Sequence, residues 1–311
     1  MTKPSTYRYL FIINPIAGIG AKKHFPEMIN RVFRENSVVV ETRFTTGRGD
    51  ASRLVREYWE QFDVFVAVGG DGTVNEVISA IAGSEKLFSL IPAGSGNALG
   101  RELGLSMWPA RALKEMVASQ QRVIDTGMVN GRRFVNVCGV GFDAHIAGRF
   151  AKSKLRGPLP YVAHVLRDFM AYKPHWYKVT IDGKVYRRKA FVVTVANTSQ
   201  FGNNAFIAPG AKIDDGLLDV CILKPFPAGA APDLVLRLFN RQLDHSRYCE
   251  YYQGREIQIE SEHLGYQVDG EPVTNHLPLR ISVERASLNM LVPKPTNTLL
   301  ARLSLDKLMK F

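Results

Sequence analysis

Between Tyr9 and Leu103 the apolar positions fall into four repeats, each a short buried-type run followed by a stripe at helical spacing. Tyr9 to Ile13 stops at Asn14-Pro15 and leads to a stripe through Phe25, Met28, Ile29, Val32 and Phe33. A second strand opens at Val38 and runs to Phe44; Thr45 to Asp50 then enters a helix over Ala51 to Tyr58, with Asp50 as its candidate N-cap. The third run, Phe65 to Val68, turns at Gly69-Gly70 into a helix carrying Val74, Val77, Ile78 and Ile81. The fourth, Leu87 to Ile91, is stopped by Pro92 ahead of a helix around Ala98 to Leu103. This alternation predicts a parallel sheet with crossover helices. Ligands of such sheets sit at the carboxyl ends of the strands, where Asn14, Thr45, Asp71 and Ser95 fall.

Beyond Arg122 the pattern becomes strand-like over Val123 to Val129, Arg133 to Val140, Tyr177 to Ile181, Lys184 to Asn197 and Leu217 to Leu223. Helical spacing survives at Pro160 to Tyr172 and at Asp233 to Asn240. The predicted fold is a Rossmann-like α/β N-terminal domain over residues 1–123, a mostly β C-terminal sandwich over residues 124–292, and a tail over residues 293–311 that ends in a short amphipathic helix. Two such domains are expected to leave a cleft between them.

Charge adds a class of partner. Lys plus Arg number 40 and Asp plus Glu 29, a net +11, so polyanions should be attracted: nucleic acid, anionic lipid headgroups or nucleotides. No RNA-binding signature, zinc finger or heptad repeat accompanies the charge, and nucleic acid is not expected as a partner. Cys138, Cys221 and Cys249 form no CxxC pair, as suits reduced packing thiols in a cytoplasm, and the histidines show no zinc spacing. Met1 to Tyr9 lacks a signal-peptide core and no run approaches the ~20 apolar residues of a spanning helix. The expected location is cytoplasmic, with any membrane contact peripheral. Arg149 to Trp176, with Lys152, Lys154, Arg156, Arg167 and Lys173, reads equally as an interfacial surface or as a solvated face.

The stretch Phe65 to Glu76 carries the most chemistry. Glycines let backbone approach a ligand closely, and the N–H groups and positive dipole end of the following helix favour phosphate oxygens, so the loop reads as a phosphate cradle. No Gly-Lys-Ser/Thr follows and the dinucleotide glycine spacing is missing. Plainer readings stand beside it: a glycine turn closing a corner, an Asp71 that only caps a helix, and hairpin turns at Asp215-Gly216 and Asp269-Gly270.

Gly69-Gly70-Asp71-Gly72-Thr73-Val74-Asn75-Glu76 resembles the signature of the diacylglycerol kinase catalytic domain, shared by bacterial lipid kinases, sphingosine kinases and ceramide kinases. Asn14-Pro15-Ile16-Ala17-Gly18, Ile91 to Asn97, Asp214 to Asp219 and Val268-Asp269-Gly270-Glu271-Pro272 resemble further motifs of that family, in the family's order over nearly the whole chain. The resemblance implies an ATP-dependent lipid kinase acting on a hydroxyl of diacylglycerol or a related lipid, with ATP and Mg2+ as cofactors. It implies a nucleotide lying across Asn14, Pro15, Ile16, Ala17 and Gly18, Thr45, Gly70 to Glu76 (Gly70, Asp71, Gly72, Thr73, Val74, Asn75, Glu76) and Ser95. Asp71 would face the phosphates through magnesium and water, and Asp71→Asn is expected to abolish activity with little change in stability. Further implied are a metal site from Asp215 and the carbonyls of Lys212 and Leu217, Glu271 as proton acceptor with Asp269 beside it, and a lipid-headgroup contact at Asp143. A lipid at a membrane surface, anionic membrane lipids and a second copy of the chain are the expected partners, and the tail is expected to pack back on the first domain. Two rivals remain, an NAD-kinase-like enzyme and a catalytically silent nucleotide- or lipid-binding regulator.

Overall fold

The computed structural model describes residues 7–18, 24–34, 38–152, 168, 172–262, 265–274 and 278–294. The four short apolar runs form β1 (Tyr9–Ile13), β2 (Val40–Phe44), β3 (Val64–Gly69) and β4 (Leu87–Pro92), parallel in the order β2-β1-β3-β4. Helices α1 (Phe25–Arg34), α2 (Asp50–Glu57), α3 (Asp71–Ile81), α4 (Ala98–Glu102) and α5 (Pro109–Val117) are threaded between and after them. Leu10, Ile12, Phe65, Ala67, Phe88 and Leu90 face α2 and α3, while Tyr9, Phe11, Ile13, Val64, Val66 and Val68 face α1 and α5. Both faces are covered, which is why β1, β3 and β4 are apolar at nearly every position rather than alternating. Two local expectations change. Helix α5 has a proline at its start and no counterpart in the sequence reading. Asp50 begins α2 instead of capping it, and its carboxylate reaches back to accept the Thr46 N–H at 2.8 Å and hydroxyl at 3.0 Å.

The remaining described elements are β5 (Ser119–Val129), β6 (Arg132–Phe134), β7 (Val137–Gly141), α6 (Phe142–Lys152), β8 (His175–Ile181), β9 (Lys184–Ala190), β10 (Val192–Ala196), β11 (Leu218–Leu223), α7 (Ala231–Phe239), β12 (Cys249–Gly254), β13 (Glu256–Glu260), β14 (Tyr266–Val268), β15 (Glu271–Val273) and β16 (Leu279–Pro293). A six-stranded sheet, β12-β11-β10-β7-β14-β15, is antiparallel throughout and packs on strands of the larger one, burying Phe134, Val140, Tyr177, Val193, Ile257 and Tyr266 between the two layers. The runs expected as single strands over Arg133 to Val140 and Lys184 to Asn197 each break where the chain crosses from one layer to the other, at Val135-Asn136 and at Phe191.

Strand β16 joins the two halves. Its first residues pair antiparallel with β13, and Asn289 and Met290 pair parallel with Leu87 and Phe88 of β4, so the larger sheet runs unbroken from the parallel strands into the sandwich. Strand β5 follows β16 along this passage, with a register shift between Glu284 and Leu288. Buried Asp125 pins the shift by accepting the Ala286 N–H and the Gly216 N–H, each at 2.7 Å. Of the helix expected over Pro160 to Tyr172 only residues 168 and 172 are described, and the expected tail lies outside the described residues except residues 293 and 294. No described helix is long and apolar enough to cross a membrane.

Candidate active site

The loops after β1, β3 and β4 meet at one end of the parallel sheet, backbone against backbone. A Cβ on Gly94 would collide with the Cα of Gly70, and one on Gly96 would lie 2.6 Å from the Asp71 carboxylate. Asn14 links two of the loops: its Nδ2 donates to the Thr73 hydroxyl at 3.0 Å and its Oδ1 accepts the Ile16 N–H at 3.1 Å. Thr45 lies at the same end, its N–H on the Ile13 carbonyl, while Pro15, Ile16 and Ser95 form the exposed rim. Gly70, Gly72 and the first N–H groups of α3 lead into this space, and Val74 turns away into the core.

Three carboxylates and an amide of the expected nucleotide and catalytic set do something else. Asp71 spends both oxygens on the start of α4, accepting Asn97 N–H at 3.0 Å and Ala98 N–H at 2.8 Å. Burial, with Asp269 nearby, pushes its carboxyl up to about 6. The carboxylate expected to face the phosphates is thus engaged by protein N–H groups while Asp71 stays partly exposed. Asp71→Asn keeps one acceptor oxygen and turns an NH2 toward an N–H, so it should destabilise the protein by about 1–3 kcal/mol, read from the urea midpoint, and an unshifted midpoint would contradict the geometry. Glu76 accepts the Gly49 and Ala51 N–H groups at 2.7 and 3.1 Å and so shapes the start of α2 rather than a phosphate site. Asn75 points to the sandwich, donating to Asp269 at 2.7 Å and to the Arg133 carbonyl at 3.0 Å.

Asp269 and Gly270, at φ 47° and 82°, form the two-residue turn between β14 and β15. The Asp269 carboxylate receives four donors: Asn75 Nδ2, and the N–H groups of Val135, Asn136 and Val137 at 2.9, 2.8 and 3.0 Å. Burial pushes this carboxyl up as well. With its lone pairs committed, Asp269 is a clamp between the halves of the molecule. Glu271 itself begins β15, half exposed, paired with Arg48 of the β2–α2 loop and adjacent to Gly72. It borders a cleft of ≈ 300 Å³ shared by the two halves and lined by Gly72, Asn75, Arg132, Arg133 and Asp269 among others.

Asp143 lies elsewhere. It sits in the first turn of α6 with its carboxylate against the outer face of the six-stranded sheet, where Gln267 Nε2 and the Thr194 hydroxyl approach at 3.3 and 3.4 Å. Gln267 alternates with Tyr266 and Val268, and Val268 lines the cleft, so the strand separates Asp143 from it. Asp143 thus faces the opposite side of that strand from Val268, partly exposed, and burial pushes its carboxyl up to about 7.

The Asp215 turn is far plainer. Asp215 Oδ1 accepts the Leu217 N–H at 3.1 Å, Asp214 is held by Arg122, and no cluster of three His, Cys, Asp or Glu side chains suited to a metal occurs among the described residues. The charge of Asp215 does act on buried Asp219, whose carboxyl is pushed up to about 6 chiefly by burial. Asp215 and Asp219 offer hard oxygens of the kind that a largely hydrated cation takes.

Asp71, Asp143 and Asp219, with Asp269, set a sign for the pH dependence of stability. A carboxyl raised in the folded state contributes stability that is full below its unfolded value near 4 and is lost as pH rises through its folded value. Stability should therefore fall between about pH 5 and 8, as folded-state values of about 6 to 7 require. Below about pH 4 the lowered groups Asp50, Asp63 and Glu250 reverse the trend. Urea midpoints rising steadily from pH 5 to 8 would contradict this.

Comparison with known proteins shows the family. Residues 8–129 match the diacylglycerol kinase catalytic domain, and residues 136–292 match the YegS C-terminal NAD kinase beta sandwich-like domain. The chain belongs to this family of lipid kinases. The kinase is 30% identical over 254 residues to a Chromohalobacter salexigens protein named "Probable lipid kinase YegS-like", covering 79% of this chain and 81% of that one. It is 27% identical over 273 residues to a Bacillus subtilis protein named "Diacylglycerol kinase", covering 85% and 89%. A solved structure from Bacillus anthracis str. Sterne superposes with a TM-score of 0.78 at 26% identity, covering 94% of this chain and 99% of its own.

Some residues that shape the kinase's site had no place in the sequence reading. Arg48 and Gln267 touch the Glu271 turn from opposite sides. The polar run Asn197 to Asn204 is largely buried against the α4 region: Ser199 donates to Glu102 at 2.6 Å, and the Asn203 N–H reaches the Gly96 carbonyl at 3.3 Å. Four consecutive polar residues directly after an apolar strand, Asn197-Thr198-Ser199-Gln200, were the available signal.

Proposed function

We propose that the kinase transfers the terminal phosphate of ATP to a hydroxyl of diacylglycerol or a related lipid. The observation that carries this reading is the placement of Glu271, a half-exposed carboxylate set by a rigid turn of the sandwich beside Gly72 of the glycine loop. In this reading the loops around Asn14, Gly70 to Thr73 and Ser95 hold the nucleotide, with α3 presenting its N-terminal N–H groups to the phosphates. The lipid hydroxyl enters from the sandwich side, and Glu271 orients it and takes its proton as the phosphate transfers. The Arg48 to Glu271 ion pair has to open for that step, and arriving phosphates offer Arg48 a second anion. Magnesium, when bound with the phosphates, spreads their charge. A second ion would be held at Asp215 with the Lys212 and Leu217 carbonyls, away from the proton transfer.

An anionic membrane surface is the proposed partner. Trp176 is 66% exposed on β8 and pairs across to Lys189 on β9, with Lys178 opposite Arg187 two residues on. An exposed ring among cations suits headgroup level. Binding to phosphatidylglycerol vesicles should weaken steeply between low and physiological salt; equal binding to neutral vesicles would count against it.

Labelled ATP supplied with a mixed lipid extract and, separately, with NAD tests the function. Label in the organic phase supports the reading, and label confined to NAD would replace it with the NAD-kinase-like alternative.

A further inference from the structure

Gln267 is 2% exposed and lies on the face of β14 turned away from the cleft. Hydrogen-bond chemistry fixes its amide. The Gly270 N–H can only donate, so Oε1 must face it, at 2.8 Å, and Nε2 is left facing the Asp143 carboxylate at 3.3 Å. Asp143 is in turn immobilised: Oδ1 accepts the Ala144 N–H at 2.7 Å, the Thr194 hydroxyl stands 3.4 Å from Oδ2, and Gly139 on β7 has no Cβ where Oδ2 rests. The chain of bonds from α6 thus ends on Gly270, between clamped Asp269 and Glu271.

We propose that Asp143 and Gln267 are a positioning pair for Glu271, in which Asp143 orients the Gln267 amide and the amide holds Gly270 N–H, and with it the turn that sets Glu271 beside Gly72. Without Asp143 the Nε2 end of the amide loses its acceptor, so the Gln267 side chain is held at Gly270 alone and the turn loosens although nothing touching it has changed. The proposal rests on the reading of Glu271 as proton acceptor.

Two variants test it. Gln267→Met keeps length and volume and loses both hydrogen-bonding ends; Asp143→Leu removes the orienting acceptor, together with the one that Ala144 N–H and the Thr194 hydroxyl use, and leaves Gln267 in place. Each is measured for kcat, for KM toward ATP and diacylglycerol in vesicles, and for amide hydrogen exchange at Gly270. The expected result is kcat lower by ~10-fold or more at unchanged KM, since a 1 Å misplacement of a reacting group can cost about 100-fold. Gly270 exchange should quicken several-fold, while Asp269 N–H, bonded to the Val137 carbonyl, stays protected. If Gln267→Met does not fold, Asp143→Leu carries the same test. Unchanged Gly270 exchange overturns the proposal, and so does a raised lipid KM at constant kcat in Asp143→Leu, which would return Asp143 to the headgroup. Parental turnover in Glu271→Gln would defeat the proton-acceptor reading instead, while the exchange result would still report on the pair.

Discussion

Asp269→Ala should unfold this kinase at markedly lower urea, losing about 3–5 kcal/mol, because several N–H groups lose their acceptor at once. The substitution strands three backbone N–H groups, those of Val135, Asn136 and Val137, together with the amide of Asn75. Each buried donor left without a partner costs about 1–3 kcal/mol, and water admitted to the site recovers part of it. Set against the roughly 5–15 kcal/mol by which domains are stable, the loss is large. It should also separate the halves of the molecule, because Asn75 belongs to α3 while Val135 to Val137 carry the chain from one sandwich layer to the other. Asp269→Asn is the sharper control: one carbonyl oxygen must replace two, and the new NH2 faces N–H donors, so most of the loss should persist. A midpoint within about 0.5 kcal/mol of the parent, the scale of an ordinary surface substitution, would mean that the clamp is not formed.

What the sequence made legible follows from how local each signal is. The parallel half was readable because each strand, loop and helix start lies close together in the chain, as in Val64 to Asp71, and glycine announces the turn. The crossings at Asn136 and Phe191 were not readable. A chain that passes between layers without reversing needs no turn residue, so the apolar run continues through the break. Helix α6 was hidden for a related reason, since among the described residues Ile146 and Ala147 alone give it clearly buried apolar positions and Gly148 interrupts the pattern. The motif residues were found but their tasks were not. Asp71 meets Asn97 and Ala98 26 and 27 positions on, and Asp269 meets Asn75 194 positions back; both partners are invisible to local periodicity. An Asp in a glycine loop suggests a ligand for magnesium until its neighbours in space are known.

Glu271→Gln carries the other large effect. A lipid hydroxyl is a poor nucleophile, and a carboxylate in reach that orients it and takes its proton is typically worth ~10²–10⁴-fold. Glu271 is the carboxylate in the cleft that is half exposed and held only by Arg48, an exposed cation, whereas Asp71, Glu76 and Asp269 are spent on backbone N–H groups. Gln keeps the size and hydrogen bonding of the side chain and removes the base. The exposed ion pair with Arg48 contributes little to folding, so the variant should be close to the parent in stability.

The direct test is to measure, on one preparation of Glu271→Gln, ATP affinity by calorimetry and the initial rate of phosphate transfer to diacylglycerol in anionic vesicles. The prediction is ATP binding close to the parent's and transfer slower by at least ~100-fold, the lower end of the general-base range. Transfer near the parental rate would remove Glu271 from the chemistry and contradict the account.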